Sequence, residues 1–102
     1  MPGTRVDLHL SEEALQDFEA IADWHESQAA WQAAKDVLEK ILDAMQGLAA
    51  HPQSAPIGTS GYRERVISTI PYRVAYSFDA TYRRVTVYAV AHTRRRWPVG
   101  LS

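Results

Sequence analysis

From Ser11 to Ala49 the apolar residues recur at helical spacing with one short interruption, and that stretch limits what the chain can become. Leu15, Phe18, Ile21, Ala22 and His25 fall three or four residues apart, predicting a helix from about 12 to 26. Ser11 is its N-cap, and Glu12 and Glu13 complement the positive end of its dipole. A second helix begins near Gln28, with Ala30, Ala34, Val37, Leu38, Ile41, Leu42, Met45, Leu48 and Ala49 on one stripe. The link around Glu26 and Ser27 is too short for anything but an antiparallel hairpin. Two helices, each with one apolar stripe, need a second layer to cover them.

The strands that supply this layer can be read on either side of the hairpin. Arg5 to Leu10 alternates, with Val6, Leu8 and Leu10 on one side and Arg5, Asp7 and His9 on the other. His51-Pro52 ends the second helix, because proline disfavours helical geometry in the residue before it. A surface loop rich in Ser, Pro, Gly and Thr runs from Gln53 to Gly61. Three strands follow, Tyr62–Ser68, Tyr72–Phe78 and Arg84–His92, joined by links short enough for antiparallel hairpins. In the middle strand Tyr72, Val74, Tyr76 and Phe78 share one face, and Arg73, Ala75 and Ser77 the other. In the last strand Val85, Val87, Ala89 and Ala91 oppose Thr86, Tyr88, Val90 and His92. The expected fold is α+β, in the order β-α-α-β-β-β, a helical hairpin packed on a small, mainly antiparallel sheet. It forms one domain over residues 1–102.

Composition narrows the function classes. A chain of 102 residues buries about 65% of its unfolded surface in a single core. No apolar run approaches the ~18–20 residues that span a bilayer. The first ten residues lack the basic and apolar regions of a signal peptide, so a cytoplasmic protein without membrane contact is expected. The chain has no cysteine, which excludes disulfides and thiolate chemistry. His9, His25, His51 and His92 show no i,i+3 or i,i+4 pair, so no metal is expected, and no cofactor.

The net charge of −1 conceals a division. Residues 1–50 carry three basic and ten acidic side chains, whereas residues 51–102 carry eight basic and two acidic. All eight basic residues of the second half are arginine, the side chain whose planar fork matches phosphates and carboxylates. They form an arginine-edged sheet that either simply solvates the domain or meets an anionic partner.

The element order, Arg63-Glu64, the run Pro71-Tyr72-Arg73-Val74-Ala75-Tyr76 and the ending His92-Thr93-Arg94-Arg95-Arg96-Trp97-Pro98 together resemble the RelE/ParE superfamily of bacterial type II toxins. The resemblance covers nearly the whole chain. It implies a growth-inhibiting toxin held in check by a cognate antitoxin, with one of two activities. A RelE-like toxin cleaves mRNA on the ribosome. There Arg73 matches an arginine on the phosphate, His92 stands where some relatives keep an acid–base histidine, and Arg63 and Arg65 brace the phosphate. A ParE-like toxin poisons DNA gyrase by protein–protein contact, with no catalytic residue. The chain is closer to this second branch. Its pI is near 6.4, no lysine follows Lys40, and no tyrosine follows His92, whereas the resemblance to a ribosome-directed nuclease implies a strongly basic surface with lysines and a tyrosine after that histidine. Arg63, Arg65, Arg73, Arg94, Arg95, Arg96 and Trp97 are then the candidates for contact with target or antitoxin.

Each has a plainer role as well. Arg73 is placed to pair with Glu64 on the neighbouring strand. His92 is a strand-end histidine suited to holding backbone or tail. Trp97 is suited to packing back on the domain, and Trp24 and Trp31, which flank the helical turn, to capping the core or to contacting a partner.

Overall fold

A computed structural model describes residues 6–27, 31–58, 61–67 and 69–94. The chain runs β1 (Asp7–Leu10), α1 (Glu12–Ser27), α2 (Trp31–Ala50), β2 (Arg63–Val66), β3 (Tyr72–Asp79) and β4 (Arg84–His92). The four strands lie in the order β1-β4-β3-β2. After the hairpin the chain re-enters at the far edge, as β2, and meanders back through two antiparallel pairings. β4 thus arrives beside β1 and pairs with it in parallel. The α+β expectation holds, with one parallel pair inside a mainly antiparallel sheet.

Local chemistry starts α1 where the spacing predicts. Ser11 Oγ accepts the Ala14 N–H at 3.1 Å and its carbonyl accepts the Leu15 N–H at 3.0 Å. Glu12 and Glu13 fill the first turn. Both helices lie on one face of the sheet. Ala14, Ile21, Ile41, Met45 and Leu48 pack there against Val74, Tyr76, Val85, Val87 and Val90, with Leu8 and Leu10 of β1 at the margin. Full burial of each large aliphatic side chain contributes about 1.5–3 kcal/mol. Tyr76 is completely buried, and its hydroxyl oxygen accepts the Ala55 N–H at 3.4 Å, joining the core to the segment after α2. The stripe is narrower than the periodicity suggests, because Leu15 and Leu42 remain exposed. Trp24 does not cap the core: it is 59% exposed, and its ring meets that of His25 edge to face at 4.8 Å between centroids.

The last strand departs from simple alternation. Tyr76 pairs with Val87 but Ala75 pairs with Ala89, so Tyr88 has no opposite number and β4 carries a bulge. Beyond it every side chain changes face. Val90, opposite Val74, joins Val85 and Val87 in the main core. Ala89 and Ala91, expected beside those valines, lie instead on the other face, with Ala75 and Tyr62. A two-residue period cannot reveal an inserted residue, so the reading of β4 fails from Ala89 onward.

The turn between β3 and β4 is closed by Asp79 Oδ1, which accepts the N–H groups of Thr81 and Tyr82. It leaves Arg83 at φ 51°, in the left-handed region.

Candidate functional site

Residues paired directly across strands project to the same side of a sheet, so the register assigns each candidate a face. Arg63 and Arg65 lie opposite Tyr76 and Val74 and therefore project on the helix side, at the β2 edge. Both are turned toward the chain that leaves α2. Arg63 Nη1 donates to the Ala55 carbonyl at 2.7 Å and to that of Gln53 at 3.4 Å, while Arg65 Nη2 donates to Ser54 Oγ at 2.7 Å. Residues 53–58 are accordingly more than a loose loop. Ile57 bridges Arg63, Glu64 N–H donates to the Pro56 carbonyl at 3.0 Å, and Gly58 N–H donates to that of Tyr62 at 2.9 Å. These bonds cover the beginning of the β2 edge.

Next to this edge an open groove of about 460 Å³ separates β2 from α2. Lys40, Asp43, Ala44 and Gly47 form its helical wall, and Arg65, Val66, Ile67 and Thr69 its strand wall. Val66, 60% exposed, lies opposite Arg73 and turns its side chain to the other face, so it borders the groove at its backbone edge. Gly47 leaves the helical wall open, since a β-carbon there meets no atom within 4 Å. The groove thus combines an apolar floor with charges of both signs.

Arg73 projects from the opposite, helix-free face. Its guanidinium meets Glu64 at 3.4 Å, both side chains largely covered. Glu64 is diagonal to Arg73 across the pairing of β2 with β3, so the sheet itself brings the pair together. Such a cross-strand pair contributes about 0.2–1 kcal/mol. Gly58 packs so closely on the Glu64 carboxylate that a β-carbon there would displace it. On the same face Tyr62 and Tyr88 stack with ring centroids 4.6 Å apart, and the hydroxyls of Ser77 and Tyr88 lie 3.4 Å apart. Spacing alone did not single out this aromatic pair. The two tyrosines are 26 positions apart in sequence and meet only through the pairing of β2, β3 and β4.

His92 stands opposite Tyr72, and their rings meet edge to face at 5.5 Å. Tyr72 packs against the helix-side core, and so His92 lies on the face away from Arg73. Its Nδ1 accepts the Arg94 N–H at 3.2 Å, and Thr93 N–H donates to the Pro71 carbonyl at 2.9 Å. These two bonds hold the exit from β4. Arg94 is exposed there, whereas Arg95, Arg96 and Trp97 lie outside the described residues, as does the side chain of Trp31. Among the described residues no three His, Cys, Asp or Glu side chains gather as a metal site, and no helix is long and apolar enough to cross a membrane.

Residues 8–97 match the family described as the ParE toxin of the type II toxin–antitoxin system parDE. A solved structure, "Chromosomal ParDE TA system from P. aeruginosa", superposes with a TM-score of 0.74, covering 87% of this chain and 97% of that one at 16% identity. At that identity the likeness is one of fold. No curated protein matches the chain significantly in sequence. With the match running from β1 to beyond the end of β4, the chain belongs to the ParE toxin family, the toxin half of type II toxin–antitoxin systems within the RelE/ParE superfamily.

Proposed function

We propose that this toxin acts in the cytoplasm by binding DNA gyrase through protein–protein contact, without a catalytic residue, and that a cognate antitoxin neutralises it. The observation that carries this reading is the separation of Arg73 and His92 onto opposite faces of the sheet. Ribose-directed RNA cleavage needs a base, an acid and a cation around one phosphate. With Arg73 held by Glu64 on one face and His92 accepting the Arg94 N–H on the other, the pair is suited to fixing a surface. The acidic balance of the first half, ten acidic side chains against three basic, also favours a protein target over ribosomal RNA.

The antitoxin in this proposal wraps the helical hairpin, lies in the groove between α2 and β2, and brings carboxylates to the arginines. Arg94, Arg95 and Arg96 are candidates for charge-assisted hydrogen bonds with it. Changing these three and Arg73 to Ala together is expected to weaken antitoxin binding and flatten its salt dependence. Unchanged affinity would remove the electrostatic part of the proposal.

One observation favours the alternative, a RelE-like ribosome-dependent mRNA endoribonuclease. Arg73 shares its face with the Tyr62–Tyr88 stack, a platform suited to a nucleobase. Purified toxin tested in parallel for inhibition of gyrase supercoiling and for cleavage of ribosome-bound mRNA separates the two. Gyrase inhibition that survives His92→Ala supports the proposal. Cleavage lost in both His92→Ala and Arg73→Ala overturns it.

A further inference from the structure

The β4 bulge is held from α1. β1 stops pairing at Leu10, opposite Val87, and the Ser11 N–H takes the Val87 carbonyl at 2.9 Å. From Tyr88 to His92, β4 runs on past the last residue of β1. Two side chains do there what a strand would do. Ser11 Oγ donates to the Tyr88 carbonyl at 3.2 Å, and Asp17 Oδ2 accepts the Val90 N–H at 3.0 Å. The Ser11 hydroxyl also caps α1, so helix start and bulge share one group. The two backbone groups so held flank Ala89, where β4 changes face.

The competing register follows from counting. Without the bulge, Ala75 would face Tyr88, Val74 would face Ala89, and Arg73 would face Val90. His92 would then leave Tyr72 for the face that carries Arg73, and Ala89 would take the core place that Val90 fills. Core volume favours the observed register, because valine is larger than alanine. Hydrophobic burial alone is not directional. A carboxylate on the Val90 N–H is directional, and being ionised it makes a stronger bond than a neutral acceptor.

We propose that Asp17 is a positioning residue that holds β4 in its bulged register and thereby decides which face of the sheet carries His92 and where the arginine run begins. It acts through the Val90 amide. This holds whether the target is gyrase or the ribosome.

The test is NMR on the full-length chain, following amide exchange and the ring-to-ring NOE between Tyr72 and His92. In Asp17→Ala the Val90 amide is expected to exchange about tenfold faster or more, beyond any change at the Ile67 amide, which bonds Tyr72 across β2 and β3. The Tyr72–His92 NOE should be lost. Asp17→Asn keeps an acceptor and should restore both. Asp17→Leu, which keeps the volume without the acceptor, carries the same test if Asp17→Ala does not fold. Unchanged Val90 exchange with the NOE intact would overturn the proposal. So would uniform acceleration of all strand amides, the mark of lost stability alone.

Discussion

His92 and Tyr72 meet edge to face, with centroids 5.5 Å apart and planes inclined at 71°, on the opposite face of the sheet from Arg73, the residue that follows Tyr72. The contact makes His92 a closing residue for the end of β4. His92→Ala should lower stability by about 0.5–1.5 kcal/mol, the range for an aromatic pair of this kind. Urea unfolding measures the loss. Growth inhibition on induction should persist at the temperature where the variant is folded.

Glu64 is held between Gly58 and Arg73. Gly58→Ala should push the carboxylate off the guanidinium. A double-mutant cycle on Glu64 and Arg73 is expected to give about 0.2–1 kcal/mol of coupling in the native background, and close to none in Gly58→Ala. Equal coupling in both backgrounds would show that the close approach of Gly58 does not control the pair.

Gly47 lies inside α2 with open space where its side chain would be. Replacing glycine by alanine in an exposed helix interior stabilises by about 0.8–1 kcal/mol, so Gly47→Ala should raise the unfolding midpoint. Gly47→Trp should fill the groove against Arg65 and Ile67 and weaken antitoxin binding without comparable loss of stability. Titration calorimetry with the purified antitoxin checks this.

Tyr76→Phe removes the acceptor for the Ala55 amide while keeping the ring in the core. A buried N–H left without a partner costs about 1–3 kcal/mol. The 3.4 Å separation places the expected loss at the lower end of that range, readable by thermal or urea unfolding. Because Arg63 holds the Ala55 carbonyl, Arg63→Ala should loosen the same segment. The two losses should add to less than their sum.

Ser11 serves α1 and β4 at once. Ser11→Ala should therefore cost more than the typical ~1 kcal/mol of a lost N-cap. The excess should be accompanied by faster amide exchange around the β4 bulge. A loss no greater than an ordinary cap, with β4 exchange unchanged, would contradict the shared role.

The amino-acid order alone determined the elements and their class. Ser11 and Pro52 bracket the hairpin, helical spacing marks its buried stripe, and period-two runs mark the strands, because capping and periodicity are local properties. The Arg73–Glu64 pair was legible too, since two short antiparallel strands bring their faces together. Only the tertiary structure decided the strand order, the β1–β4 parallel pairing, the Tyr62–Tyr88 stack and the turn of Arg63 and Arg65 toward residues 53–55. These depend on which distant segments share the core. It decided the face of His92 as well. One extra residue at Tyr88 reverses everything beyond it, and the carboxylate that accepts the Val90 amide there, Asp17, lies about 70 positions away in sequence.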